Sequence, residues 1–225
     1  MANAVLHRNQ FDYAGVLARP PLSLWGDGRQ ILSTLYDAFS DKASSLEDYQ
    51  IEGEQSLPAT QGVRVSLGAR QSFRFGFTRI EARLTDFRPE EVDSFFDTVR
   101  RGVEGLVKLT SEVGFQSHLL LYGAHLTLVR STSTDFLRGL TNKSLAGLGT
   151  DRGTGLIFHA DVPDTPLQVQ LTVDHSLLVA NGLFIQLALS VATGKMDVEA
   201  TRRTFETLLL ERTWSGLGLQ FEGGS

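Results

Sequence analysis

Leu167, Val169, Leu171, Val173, Leu177, Val179, Leu183, Ile185, Leu187, Leu189 and Val191 all carry odd numbers. A side-chain period of two belongs to the β-strand, so this stretch folds as strand, turn and strand with one face buried. The turn falls at Asn181-Gly182. A two-residue turn pairing Ala180 with Leu183 would send the two odd rows to opposite faces. A three-residue loop, Ala180-Asn181-Gly182, pairs Val179 with Leu183 and keeps both rows together, with Gly182 in the left-handed region. The alternation selects the three-residue loop.

The same period recurs at Val63, Val65 and Leu67 and at Phe73, Phe75 and Phe77, which predicts a hairpin turning around residues 68–72. Beyond Thr78 the apolar phase moves to Ile80, Ala82 and Leu84. A strand changes faces only where a residue is added, so a bulge or bend near Thr78 is expected inside one strand over 73–87. Helical spacing governs Val92, Phe95, Phe96, Val99, Val103, Leu106, Val107 and Val113, predicting a helix over 89–113 that opens on Pro89 and stops at Gly114. A second helix begins after Asp27, whose carboxylate caps it, and turns Ile31, Leu32, Leu35 and Phe39 inward. A third covers 197–212 and buries Val198, Phe205, Leu208 and Leu209.

Taken in order, the elements of residues 1–115 read strand, helix, strands, helix, and those of 116–225 read the same way at an offset near 107. Residue-level support is limited to Phe96-Asp97-Thr98-Val99 against Phe205-Glu206-Thr207-Leu208. Internal duplication and chance similarity of two amphipathic helices both account for it. The expected fold is α+β, an antiparallel sheet with long helices packed on one face. Its two halves, 1–115 and 116–225, share one continuous sheet in a single compact domain, and duplication would relate them by a pseudo-twofold axis.

Composition narrows function by exclusion. The chain has 225 residues, 41% apolar and 21% charged, enough to bury a real core. A balance of 21 Lys+Arg against 26 Asp+Glu gives a net charge of −5, without the basic footprint of a dedicated nucleic-acid binder. Absence of Cys removes thiol catalysis, Cys zinc sites and iron–sulfur ligation. Met1–Arg19 has no signal-peptide pattern, and the segment Leu177–Val191 is interrupted by Asn181, Gly182 and Gln186, so a cytoplasmic protein without a membrane span is expected. The sequon at Asn142-Lys143-Ser144 then has no chemical meaning.

No catalytic motif survives inspection. Gly147, Gly149, Gly153 and Gly155 lack the Lys-Ser/Thr ending and the strand–loop–helix context of a phosphate cradle, and Gly194-Lys195 lacks its first glycine. Neither a Gly-x-Ser-x-Gly elbow nor a His-Glu-x-x-His helix occurs. His7, His118, His125, His159 and His175 have no partner at metal-ligand spacing, so no metal and no cofactor is expected. His175 reads as a core or edge histidine with Asp174 on the other face, and His118 and His125 as strand-end residues near solvent.

The remaining candidate is a surface. With the apolar side covered by helices, the other side carries His159, Gln168, Gln170, Thr172, Asp174, Ser176, Gln186 and Ser190 in the second half. In the first half it carries Arg64, Ser66, Arg74 and Thr78, with Arg79 or Arg83 beside them. Of these, Arg64, Arg74, Arg83, His159, Gln168, Gln170, Asp174 and Gln186 form the candidate binding set. The chain uses 17 Arg against 4 Lys, and guanidinium groups on a rigid sheet suit carboxylates or phosphates. The leading expectation is a non-catalytic binding or assembly protein that takes a protein partner or a second copy. The alternatives are nucleic-acid binding through the Arg-bearing face, and an enzyme or carrier with a small-ligand pocket between helices and sheet.

Overall fold

A computed structural model describes residues 1–25, 29–53, 60–110, 113–140, 155–163, 165–191 and 198–221. The Asp27 cap, the Asn142 sequon, Gly147, Gly149 and Gly153, and Gly194-Lys195 lie outside them. The fold is α+β. Its strands are β1 (Ala2–Leu17), β2 (Tyr49–Glu52), β3 (Gly62–Ser66), β4 (Gln71–Gly76), β5 (Arg79–Thr85), β6 (Phe115–Leu128), β7 (Leu156–Asp161), β8 (Leu167–His175), β9 (Leu183–Val191) and β10 (Leu219–Phe221). The longer helices are α1 (Arg29–Phe39), α2 (Val92–Leu109), α3 (Ser133–Leu140) and α4 (Val198–Glu206). The sheet is antiparallel in the order β2-β3-β4-β5-β1-β6-β9-β8-β7, and β10 joins β1 in parallel. Two compact units share these elements: one comprises Phe11–Leu120 with Ser190–Val198, the other Met1–Gln10, Leu121–Leu189 and Glu199–Ser225. No helix among the described residues is long and apolar enough to cross a membrane.

In the unit containing α1 and α2, parity explains the core. Val63, Val65, Phe73 and Phe75 are buried on β3 and β4, whereas Ile80, Ala82 and Leu84 are buried on β5. The pairing Phe75↔Ile80 leaves Phe77-Thr78 as a turn, so the apolar phase changes there because the chain reverses. This corrects the expected single strand with a bulge or bend: the stretch belongs to two antiparallel strands, and a two-residue turn necessarily pairs odd with even positions. The other hairpin forms as predicted, with Arg64↔Arg74 in register and the Leu67 amide donating to the Gln71 carbonyl at 2.8 Å.

Helix α2 is shorter than its apolar spacing suggests. A 3₁₀ turn over Pro89–Glu91 precedes it, closed by the Arg88 amide donating to Glu91 Oε2 at 2.8 Å. It ends at Leu109 because Thr110 is already extended, with φ −155° and ψ 142°. Val107 is 45% exposed, off the buried stripe, and Val113 is buried from outside the helix. Phe95, Phe96, Val99 and Leu106 carry the contact with the core. Phe11 lies 5.3 Å from the Phe95 ring and 6.0 Å from that of Phe96. On α1, Ile31, Leu35 and Phe39 are fully buried and Leu32 is half-buried.

In the other unit the odd residues of β9 are buried from Leu183 to Leu189, as the alternation requires. The hairpin loop differs from expectation. β8 ends at His175, the Ser176 amide donates to the Gly182 carbonyl at 2.8 Å, and Leu177 is 97% exposed. The connection is thus seven residues, 176–182, instead of three. Ser176 causes the early break: its Oγ accepts from the amides of Leu178 and Val179, a local turn that competes with the strand ladder. The left-handed residue is Asn181, φ 55°, while Gly182 is needed because a Cβ there would meet Leu126 O and Val179 at 2.9 Å.

The last helix also departs from 3.6-residue periodicity. After α4 the chain continues as a π-helical segment, Thr207–Thr213, and then as a short turn, Trp214–Gly216. Thr201, Phe205, Leu209, Thr213 and Leu217 are buried at a constant spacing of four. An α-helix drifts by about 40° over each such step, so an unbroken one would rotate this row away from the core. The wider π turn keeps it inward and leaves Leu208 only half-buried, as Val198 is at the start of α4. Thr213 Oγ1 supports the segment by donating to the Leu208 carbonyl at 2.7 Å.

Gly102 of α2 lies against the fully buried Phe73 ring of β4, where a methyl would overlap ring atoms. Gly102→Ala normally gains about 1 kcal/mol of helix propensity. Overpacking against a ring that cannot move costs about 1–3 kcal/mol. The variant is therefore expected to be less stable than the parent by about 1 kcal/mol, measured as a lower midpoint in urea.

Candidate binding face

Where β3, β4 and β5 turn their polar residues outward, Arg74 organises the surface. Gly62 and Gly76 are directly opposed on β3 and β4, and a Cβ on either would come within 2.8 Å of the Arg74 guanidinium. The missing side chains make the bed in which that group lies flat. From there Arg74 Nε donates to Glu52 Oε2 at 2.7 Å and Nη1 to Glu81 Oε2 at 2.9 Å. Glu52 also takes Arg64 Nε at 2.6 Å on its other oxygen, and Glu81 takes Arg79 Nε at 3.0 Å. Arg83, on the same face, pairs with Asp12 at 2.7 Å.

The like charges of Arg64 and Arg74 are thus bridged by a carboxylate of the chain itself. Partial burial raises the Glu52 carboxyl, but the Arg74 hydrogen bond and the charges of Arg64 and Arg74 outweigh this and hold it below the ordinary 4.5. Burial likewise opposes the Arg74 charge, and its bonds to Glu52 and Glu81 overcome that and raise its pKa. All three candidate arginines, Arg64, Arg74 and Arg83, stand in ion pairs, so an incoming phosphate would have to compete with carboxylates already seated.

The other five candidates lie in the other unit, where the face is polar and its charged members are Asp161 and Asp174. His159 is paired with Gln170 and Asp161 with Gln168 across β7 and β8. Gln168 Nε2 donates to Asp161 Oδ1 at 3.3 Å, and Gln170 Nε2 to Thr172 Oγ1 at 3.4 Å. Gln186 is half-buried on β9, and exposed Asp174 accepts the His175 amide at 2.7 Å. Ile157, opposite Thr172, adds an apolar patch that is 60% exposed, which the polar reading of this face overlooked. The visible signal was Ile157 and Phe158 side by side: on a strand, neighbours face opposite sides, so one had to leave the core.

The histidines have separate structural roles. His118 is buried inside β6, not near solvent at a strand end: its Nδ1 lies 3.0 Å from Tyr13 Oη and its ring 4.6 Å from that of Phe115. His125 is likewise within β6, half-buried, with Nδ1 2.8 Å from Ser176 Oγ and its ring 4.9 Å from Phe184. Burial, aided by the Arg8 charge, lowers its pKa below 6.5. His175 Nδ1 sits 2.9 Å from Ser133 Oγ, while its buried Nε2 finds no partner among the described residues. No cluster of three or more His, Asp or Glu side chains among the described residues is placed to hold a metal ion.

No protein-family model and no curated protein matches the chain. One solved structure, "Crystal structure of A. aeolicus tRNASec in complex with M. kandleri SerRS", aligns with 97% of this chain at 14% identity and a TM-score of 0.36. This chain spans 31% of that chain's length, and a likeness at this score carries no argument.

Two outcomes follow from the face. Replacing Arg74, whose side chain is 19% exposed, by Met leaves Glu52 and Glu81 without their shared cation. A loss of about 1–3 kcal/mol is expected in urea melts. For Arg83→Met, at a site 60% exposed, a change within about 0.5 kcal/mol is expected. The depressed pKa of His125 means that the unfolded chain binds the proton more readily, so its contribution to stability is lost as pH falls below 6.5. His125→Gln should flatten the fall in Tm over that range.

Proposed function

We propose that this protein is a non-catalytic binding or assembly protein that takes a protein partner on the polar face and strand edge at β7. The observation that carries the proposal is β7 itself. Among the described residues it is the last strand in the sheet order, with Ile157 60% exposed and Phe158 54% exposed. An edge strand presents unpaired backbone groups, and natural sheets usually guard such an edge with Lys, Pro or a bulge. Leu156–Asp161 contains neither Lys nor Pro. An added partner strand would satisfy its backbone while covering Ile157, with Gln170, Thr172 and His159 available beside it for hydrogen bonds.

The nucleic-acid alternative draws on Arg64, Arg74 and Arg83, and it is the weaker one because each already faces a carboxylate. Duplication remains part of the proposal. Outward from β1 the sheet runs β5-β4-β3-β2, and outward from β6 it runs β9-β8-β7, so the strands return in the same reversed order on both sides but number four on one and three on the other.

A photo-crosslinking residue at Gln170 in the producing cell should capture one discrete protein, either a second copy or a different chain. Ile157→Lys should abolish that adduct, and the same crosslinker at Leu46, 80% exposed elsewhere on the molecule, should capture nothing comparable. Absence of an adduct, equal capture from Leu46, or an adduct removed by nuclease would each overturn the proposal.

A further inference from the structure

We propose that the unit containing β7, β8 and β9 holds a binding site for an amphipathic carboxylate, a small molecule with one apolar chain or ring and one anionic head. The site is a cavity of about 420 Å³ between those strands and the π-helical segment. That volume lies within the roughly 300–1,000 Å³ usual for small-molecule sites. Its walls are apolar: Leu156 and Phe158 from β7, Leu171 and Leu187 from the neighbouring strands, Leu208 from the π segment and Leu217 beyond it. Phe158 stands opposite Leu171 in the ladder and still leaves 54% of its surface uncovered, so the wall is built but not closed.

Charge at the rim specifies the head group. Two charged residues line the cavity, Arg212 and Asp161, the latter with its side chain in the outward row of Ile157 and His159. Asp161 accepts from the Gln168 amide. Arg212 makes no ion pair or side-chain hydrogen bond among the described residues. A guanidinium at the mouth of an apolar cavity offers a paired donor fork that matches a carboxylate, and the hydrocarbon behind it rewards an apolar tail.

The π segment accounts for this arrangement. While the row Leu209, Thr213 and Leu217 is held in the core, Leu208, Arg212 and Gly216 lie one position earlier and line the cavity together with Thr213 and Leu217. A Cβ added at Gly216 would meet nothing within 4 Å, so space continues there. π-helical insertions recur at functional sites, in keeping with a segment that trades regular helix geometry for a lined cavity.

The test uses the purified full chain with dodecanoate and with uncharged dodecanol, titrated by calorimetry. Dodecanoate should bind saturably at one site. Arg212→Gln should weaken dodecanoate about tenfold, the size of one charge-assisted hydrogen bond, while changing dodecanol by no more than about twofold. Gly216→Leu, which grows into open space and should leave Tm unchanged, is expected to weaken both ligands. Unsaturable binding, or an Arg212→Gln variant with an unaltered preference for dodecanoate over dodecanol, would overturn the inference. Ile157 does not line this cavity, so failure here and failure of the edge proposal are read by separate experiments.

Discussion

Because one face of the sheet is buried and the other wet, each turn must return the chain with its apolar row on the correct side. That constraint is met differently at each turn. At Phe77-Thr78 a two-residue reversal pairs Phe75 with Ile80, and the apolar row passes from odd to even numbers. Across β3 and β4 the pairs are Val63↔Phe75 and Val65↔Phe73, odd with odd. Two adjacent residues then serve opposite faces. Phe73 fills the space under Gly102 on the helix side, and Arg74 lies over Gly62 and Gly76 on the wet side. The three glycines admit, respectively, an aromatic ring and a guanidinium that any side chain would exclude.

The wet surface divides into two chemical kinds with different capacities. Around Arg74 the charges are alternating and mutually satisfied, a crosslink between β2, β3, β4 and β5 made by side chains instead of backbone. Such a network stiffens the sheet but has its donors committed. Around β7 and β8 the side chains are Gln, Thr, His and Asp with exposed Ile157 among them, and among the described residues none of them stands in an ion pair. Groups that are weakly satisfied and partly apolar lose little on being covered by another protein, which is why the binding proposal rests there and not on the arginines.

On the helix side, the same unit departs from regular geometry where its cavity opens. The buried Thr201, Phe205, Leu209, Thr213 and Leu217 demand a turn wider than the α-helix provides. A spacing of four maintained over sixteen residues is visible in the numbering of these residues once burial is known, but in the sequence two of the five are Thr and the row is masked. The cavity lined by Leu208, Arg212 and Gly216 is a by-product of that same adjustment.

Periodicity alone determined the strands around Val63, Phe73, Leu167 and Leu183, the α1 face through Ile31, Leu35 and Phe39, and the α2 stripe through Phe95, Phe96 and Val99, since apolar burial acts on every residue of a row at once. It also put Arg64 and Arg74 opposite one another. What it left undecided were features set by single contacts. Whether the phase change near Thr78 was a bulge or a turn depended on which residue found Ile80 as its partner. Ser176 ended β8 early by bonding the amides of Leu178 and Val179, and Thr110 ended α2 before Val113. The fate of the arginines lay furthest from view. Glu52, Glu81 and Asp12 are separated from their partners by 7 to 71 positions, and only folding brings them within 3 Å. A repeating hydrophobic pattern can be read from one dimension because it averages over many residues; a salt bridge depends on two, and their meeting is a property of the tertiary structure.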